Sequence, residues 1–191
     1  MNEQELIELV KKKDRAAFKT LVDTWQDMVY NTALGILQNA EDAEDVSQEV
    51  FIQVYESVSS FKGESKFSTW LYRITITKTT DHIRKKKRKK RFAFIQSLYG
   101  NNDEQIVDPP DFFHPGISLE NKENGEILFK AIEQLLPNQK AAFILSKLEN
   151  LSYKEIAEVM NLSEAAVDAL LQRAKDKLKK ILKNYYLKNM G

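Results

Sequence analysis

The stretch Phe61–Arg91, FKGESKFSTWLYRITITKTTDHIRKKKRKKR, constrains this chain more than any other, because one half of it asks to be buried and the other cannot be. Beyond Gly63 no glycine or proline interrupts it. Ser68 has the side chain of a helix N-cap, so the sequence predicts one continuous helix that runs on into eight consecutive Lys or Arg residues, Arg84 to Arg91. Phe67, Trp70, Leu71 and Ile74 recur at helical spacing and give the first half a face to bury. The last two turns are cationic all round, and such an end stays in water and attracts polyanions. The plain alternative is a solvated charge run, and the segments on either side bear on that choice.

Those segments read as helices. Six Gly and four Pro in 191 residues, 42% apolar content and few alternating β-branched runs point to an all-α chain. A formal net charge of +1 conceals segregation, since the basic run is offset by acidic stretches at Glu41–Glu49 and Asp103–Glu126. The absence of cysteine excludes disulfides and thiolate metal sites and agrees with a reducing compartment. The opening MNEQELIELVKKK is too polar for a signal peptide, and no run of about 18 apolar residues offers a membrane span. The expectation is a soluble cytoplasmic protein without stable membrane insertion.

From the start of the chain, the pattern predicts a short helix over Glu5–Lys13. Asp14 then caps a longer one with an apolar stripe of Phe18, Leu21, Val22, Trp25, Val29 and Ala33. Asn39 caps a third, whose first turns carry Glu41, Asp42, Glu44 and Asp45, where the helix dipole favours acids. Val46, Val50, Val54 and Val58 form its buried stripe, and Asp45, Gln48, Glu49, Gln53 and Glu56 its polar face. Clustered carboxylates raise a metal or acid–base reading, but no histidine lies near them in sequence and their spacing is that of a helix surface. An exposed or protein-docking face is expected there, with no catalytic residue, metal or cofactor.

The chain divides into a helical domain over 1–95, a linker over 96–124 and a second helical domain over 125–191. NNDEQIVDPPDFFHPGISLENKEN has three prolines and no periodicity, and between Asp103 and Glu126 seven acidic residues face the single Lys122, so the linker is expected to be flexible and acidic. In the second domain Ser152 and Glu155 form a capping box, Asn161 suits a left-handed turn and Ser163 caps a last helix expected over Glu164–Leu182. Ala157, Asn161 and Val167 have the offsets of a helix-turn-helix. Its second helix buries Val167, Leu171, Ala174 and Leu178.

DAEDVSQEVFIQVYESV, FKGESKFSTWLYRI and DHIRKKKR, in that order, resemble the promoter-binding domain of the extracytoplasmic-function sigma factors of bacterial RNA polymerase, and LPNQKAAFILSKLENLSYKEIAEVMNLS resembles their second DNA-binding domain. The resemblance implies partners: core RNA polymerase, promoter DNA and an anti-sigma factor. It implies that Asp45, Gln48, Glu49 and Gln53 dock on the polymerase largest subunit, and that the turn Phe61–Phe67 holds a base flipped from the minus-ten element. Chemistry agrees, since Phe61, Lys62, Lys66 and Phe67 offer apolar walls and cations for an unstacked base, while Arg73, Lys78, His82 and Arg84 suit phosphates. Thr77 stands where many relatives have Asn. In the last helix Asp168 and Leu170 replace residues that are usually basic, which implies altered reading of the minus-thirty-five element by Lys154, Gln172, Arg173, Lys175 and Lys177. Asp168 repels phosphate but can accept from a cytosine amino group, and Leu170 can meet a thymine methyl. Two other classes compete: a free-standing duplex-binding regulator, and a carboxylate-dependent nuclease. The nuclease is the weaker, having only His82 and His114, neither near Asp45 in sequence, and no Gly-rich phosphate loop.

Overall fold

The computed structural model describes residues 2–99 and 122–189, apart from the side chains of 93–99, 122–124, 186, 188 and 189. The described residues form eight α-helices. Most of the expected acidic linker, with His114, lies outside them.

Helix α1 (Glu3–Lys11) starts two residues before its expected position, because Asn2 caps it reciprocally with Glu5. It also stops early, at a left-handed turn through Lys13, whose ammonium donates to the Tyr55 carbonyl and lies 4.1 Å from the centre of the Tyr55 ring. Asp14 accepts from Ala17 N at 2.8 Å to open α2 (Arg15–Leu37), and Asn39 accepts from Asp42 N at 2.8 Å to open α3 (Ala40–Ser57). A 3₁₀ turn over Val58–Ser60 and a bend at Gly63, whose φ of +76° favours glycine, lead into α4 (Phe67–Tyr99). Ser68 is not its cap. The Lys66 carbonyl already accepts from Trp70 N at 3.2 Å, which places Ser68 inside the first turn.

The core of α1–α4 forms where their stripes meet: Leu6 and Val10, Leu21, Val29 and Ala33, the valines of α3, and Phe67 and Leu71. Phe67 is its aromatic hub, with ring centres of Phe61 and Trp70 at 5.5 Å and of Trp25 at 5.9 Å. Further along α4, Thr75 and Thr79 are buried without penalty. Each hydroxyl donates to the carbonyl four residues back, Leu71 O at 2.9 Å and Thr75 O at 2.7 Å.

The second group comprises α5 (Lys122–Glu133), α6 (Pro137–Lys147), α7 (Tyr153–Met160) and α8 (Glu164–Asn189). Pro137 occupies the first position of α6, Asn150 and Asn161 take left-handed turns, and Ser163 accepts from Ala166 N at 3.2 Å. Helix α8 continues seven residues past its expected end at Leu182. Val167, Leu171, Ala174 and Leu178 are buried as their spacing requires. The two groups also pack on each other: Ile36 of α2 joins the core of Phe129, Ile132 and Leu135, and Tyr72 of α4 joins that of Leu145, Ile156 and Leu171.

Two expectations follow. Leu71 is fully buried, so Leu71→Ala should cost about 2–5 kcal/mol in urea-induced unfolding. The capping-box carboxylate of Glu155 is held down to about 2 by hydrogen bonds from the Ser152 backbone N–H, the Lys66 ammonium and the Ser152 hydroxyl. A carboxylate with a depressed folded value stabilises the fold above its ordinary range and loses that contribution as protons bind. Melting temperature should therefore fall as pH drops from about 4.5 towards 2, and Glu155→Gln should flatten that slope.

Candidate nucleic-acid interface

The acidic face of α3 is presented as its spacing predicts. Asp45, Gln48 and Glu49 are exposed and Gln53 is half-buried. Ile52 lies among them, 59% exposed, an apolar member of the face that the charge pattern had hidden. Asp42 turns the other way, towards α4, where it is 3.1 Å from His82 Nε2 and accepts from Lys86. Burial works against its carboxylate, but the hydrogen bonds and charges of Lys86 and His82 outweigh that and keep it below the usual carboxylate range. Asp42 thus braces α3 against the root of the cationic run. Between the two helices an open hollow of about 720 Å³ is lined by Glu49, His82, Arg84, Lys85 and Arg88. His82, read as a phosphate contact, is engaged in this brace.

The residues read as a single-strand site divide into three groups. Phe67 is 1% exposed and Phe61 8%, both in the aromatic cluster, so they form the floor beneath the turn and offer no ring face to a base in this conformation. Lys62 and Lys66 stand exposed above them. Along α4, Arg73, Thr77 and Arg84 are exposed and Lys78 is half-buried; Thr77 donates to the Arg73 carbonyl at 2.8 Å and Arg84 pairs with Asp81 at 3.3 Å.

Two of these cations are already occupied, by α7. Lys66 pairs with Glu155 at 3.0 Å, and Arg73 donates to the Glu158 carbonyl at 2.6 Å. Between them Tyr72, 7% exposed, donates to Glu149 at 2.9 Å. Burial raises the Tyr72 hydroxyl well above its ordinary value, and the Glu149 charge and hydrogen bond add to this. Burial likewise raises Glu149, against the hydrogen bond from Tyr72 and the nearby Thr32 hydroxyl; Thr32 itself, wholly buried, makes no well-formed bond. On the α6 side Lys140 is 8% exposed and donates to the Ile36 carbonyl at 3.3 Å, near the C-terminus of α2. Burial lowers its pKa; the Glu133 charge opposes this and the Lys87 charge adds to it. Tyr72, Glu149 and Lys140 were not legible as a set in the sequence, the only signal being a lysine on an otherwise apolar stretch of α6 and a glutamate just past its end.

The duplex-reading residues lie apart from that contact. Lys154, Arg173 and Lys175 are exposed, Gln172 donates to Asp176 at 3.3 Å, and Lys177 donates to the Gln134 carbonyl. Asp168 is exposed beside them. Leu170 is half-buried against the core of Val167 and Leu171, which limits the surface it can offer a thymine methyl.

Residues 21–89 match the family model described as sigma-70 region 2, and residues 125–178 the one described as sigma-70, region 4. The chain is 33% identical to the ECF RNA polymerase sigma factor SigW of Bacillus subtilis, over 93% of this chain and 95% of that one. It is 31% identical to the ECF RNA polymerase sigma-E factor of Escherichia coli, over 92% of each. It is 30% identical to the RNA polymerase sigma-H factor of Pseudomonas aeruginosa, over 94% and 93%. Two solved structures share the fold. One is CnrH in complex with the cytosolic domain of CnrY (TM-score 0.66, 19% identity, 95% of this chain and 97% of that one). The other is RpoE in complex with the anti-sigma factor NepR from Bartonella quintana (TM-score 0.63, 20% identity, 87% and 96%). With both regions in order and relatives above 30% identity along nearly the whole length, the chain belongs to the extracytoplasmic-function sigma factors of the sigma-70 family.

Proposed function

We propose that this chain directs core RNA polymerase to promoters and helps to open them, with residues 1–95 docking on the polymerase and holding the separated strand while residues 125–191 read duplex upstream. The observation that carries this division is α4, anchored by Phe67 and Leu71 and continued as a cationic arm beside the exposed acidic face of α3. In this reading Asp45, Gln48, Glu49 and Gln53 surround Ile52 as a docking patch, an apolar centre with a charged rim. Lys62 and Lys66 hold a base or its phosphate over the floor made by Phe61 and Phe67, while Arg73, Thr77, Lys78 and Arg84 follow the backbone of the strand. Lys154, Gln172, Arg173, Lys175 and Lys177 meet duplex, and the exposed Asp168 changes what is read there.

The work assigned to these residues is binding, so the reading makes the chain an initiation factor acting in the cytoplasm and not an enzyme. An anti-sigma factor is its natural regulator, as NepR is the anti-sigma factor bound to RpoE. Among the described residues no helix is long and apolar enough to cross a membrane.

Transcription in vitro from random promoters, with core polymerase alone and with this chain added, tests the reading: chain-dependent starts that share two spaced elements are expected, and none should appear without it. Reversing charge in the docking patch, Asp45→Lys with Glu49→Lys, should weaken polymerase binding by about tenfold or more while leaving helicity unchanged. Replacing Arg173 with Ala should lower the slope of log affinity for duplex against log salt by about one, the signature of a lost phosphate contact.

A further inference from the structure

We propose that Asp168 sets the base preference of α8 on duplex DNA, its carboxylate selecting cytosine through the amino group which that base presents in the major groove. The proposal rests on the duplex-reading role given to α8 above. What brings a base edge within reach is the backbone, not the charge. Helix α7 ends at Asn161 in a left-handed turn (φ 53°), the Leu162 N–H donates to the Ala157 carbonyl at 3.0 Å, and α8 opens at Glu164. Val167 and Leu171 are buried in the core shared with α7, so the opposite side of the first turns of α8 is the side that can enter a groove. Asp168, the fifth residue of α8, lies on that side.

Nothing in the fold uses this carboxylate. It is exposed, and among the described residues it has neither a hydrogen bond nor an ion pair. Glu164, at the first position, gains from the helix dipole, but that effect fades within the first turn and Asp168 lies beyond it. The neighbour that could satisfy it, Gln172 four residues on, donates instead to Asp176 at 3.3 Å. Arg173 and Lys175 are exposed and likewise pair with nothing among the described residues, so the cations stand ready for phosphates and do not neutralise Asp168. Its surroundings are low. Ala165, one turn back, is exposed and Ala169, beside it, half-buried; with only methyl groups there, a side chain as short as Asp can reach a base edge.

An ionised carboxylate accepts hydrogen bonds and donates none. In the major groove guanine offers it two acceptors, N7 and O6, and thymine offers the O4 acceptor and a methyl group. Adenine has an amino group with the N7 acceptor beside it. Cytosine alone presents an amino group without an acceptor on the same base, so Asp168 meets a partner in cytosine and opposing lone pairs on the other three. Its charge also repels phosphate, which weakens binding to duplex of every other sequence. Discrimination then comes as much from what Asp168 rejects as from what it accepts.

Transcription with core polymerase and the whole chain, from promoters randomised upstream of the start, tests this when the productive templates are sequenced. With the unsubstituted chain, one upstream position should favour a C·G pair in a fixed orientation by about fivefold or more. Asp168→Ala should erase that preference and leave the rest of the element unchanged. Asp168→Asn should move it to an A·T pair, and Asp168→Arg should invert the C·G pair, because amide and guanidinium match the edges of adenine and guanine. Asp168→Ala should also bind a fluorescein-labelled duplex of random sequence more tightly. Far-UV dichroism checks that each variant is folded. Arg173→Ala separates the proposal from the reading beneath it, since a lost phosphate contact lowers the yield at every sequence alike. If Arg173→Ala does so while Asp168→Ala shifts no preference, or erases a preference for an A·T pair, α8 reads duplex but Asp168 does not select cytosine, and the proposal is overturned. If neither substitution has an effect and no upstream element emerges, the duplex-reading role of α8 fails and the proposal falls with it.

Discussion

The burial of one end of α4 is the constraint on which the rest of the structure depends. Thirty-three helical residues span roughly 50 Å, more than a domain of this size can cover. Phe67 and Leu71 fix the first turns in the core, and that anchorage lets the other end project. The far half does not stabilise itself. Arg84 and Arg88, or Lys87 and Arg91, are like charges four apart on a helix, each pair unfavourable by about 0.2–0.5 kcal/mol. What offsets this is the buried half together with Asp42, which receives both His82 and Lys86 from the helix next to it. An acidic residue at the start of α3 is therefore part of the mounting for the cationic arm, while its neighbours Asp45 and Glu49 face outward.

The same helix serves two cores through a change in the character of its buried face. Its first turns bury aromatics against α2 and α3. Its middle turns bury Thr75 and Thr79, whose hydroxyls are spent on their own helix. Tyr72 and Ile76 point instead towards the second group of helices. Lys140 sits at that boundary, with the charge of Lys87 raising the cost of its ammonium and the carbonyl end of α2, together with Glu133, lowering it. A buried lysine opposed by a cation from the basic run ties the position of α6 to the course of α4.

Much of this was readable in the residues, and the limits of the reading are physical. Asp14, Asn39 and Ser152 were legible as caps because a short polar side chain before an apolar period has few other uses, and the stripes of α3 and α8 because a helix surface imposes its spacing. Ser68 misled for the same reason: it is a capping residue by type, but the helix starts at Phe67, two residues before the start that a Ser68 cap would set. Phe61 and Phe67 read as pocket walls because an aromatic near lysines looks alike whether it faces a ligand or a core; only burial separates the two. Ile52 was hidden by the charges around it. The contact between the domains was wholly invisible, since it joins Gly35 to Ile144, and Tyr72 to Glu149, across more than 75 positions in sequence. Periodicity speaks of neighbours within an element and is silent on which distant faces meet.

The chemistry of that contact determines how firmly it can hold. The Lys66–Glu155 pair has a lysine side chain 72% exposed, and pairs of that kind contribute about 0–1 kcal/mol. Arg73 and Lys140 donate to single carbonyls, bonds worth about 1.5–3 kcal/mol at most when the donor is charged, and the burial of Lys140 subtracts from its share. Tyr72–Glu149 gains a hydrogen bond but buries a carboxyl group, which burial pushes towards its neutral form. The apolar part sets Ile36, Tyr72, Ile76 and Ile83 against the cores of the second group and Gly35 against Ile144 and Leu148. Replacing Glu149 and Lys140 by well-packed apolar residues would hold the two groups of helices together more tightly.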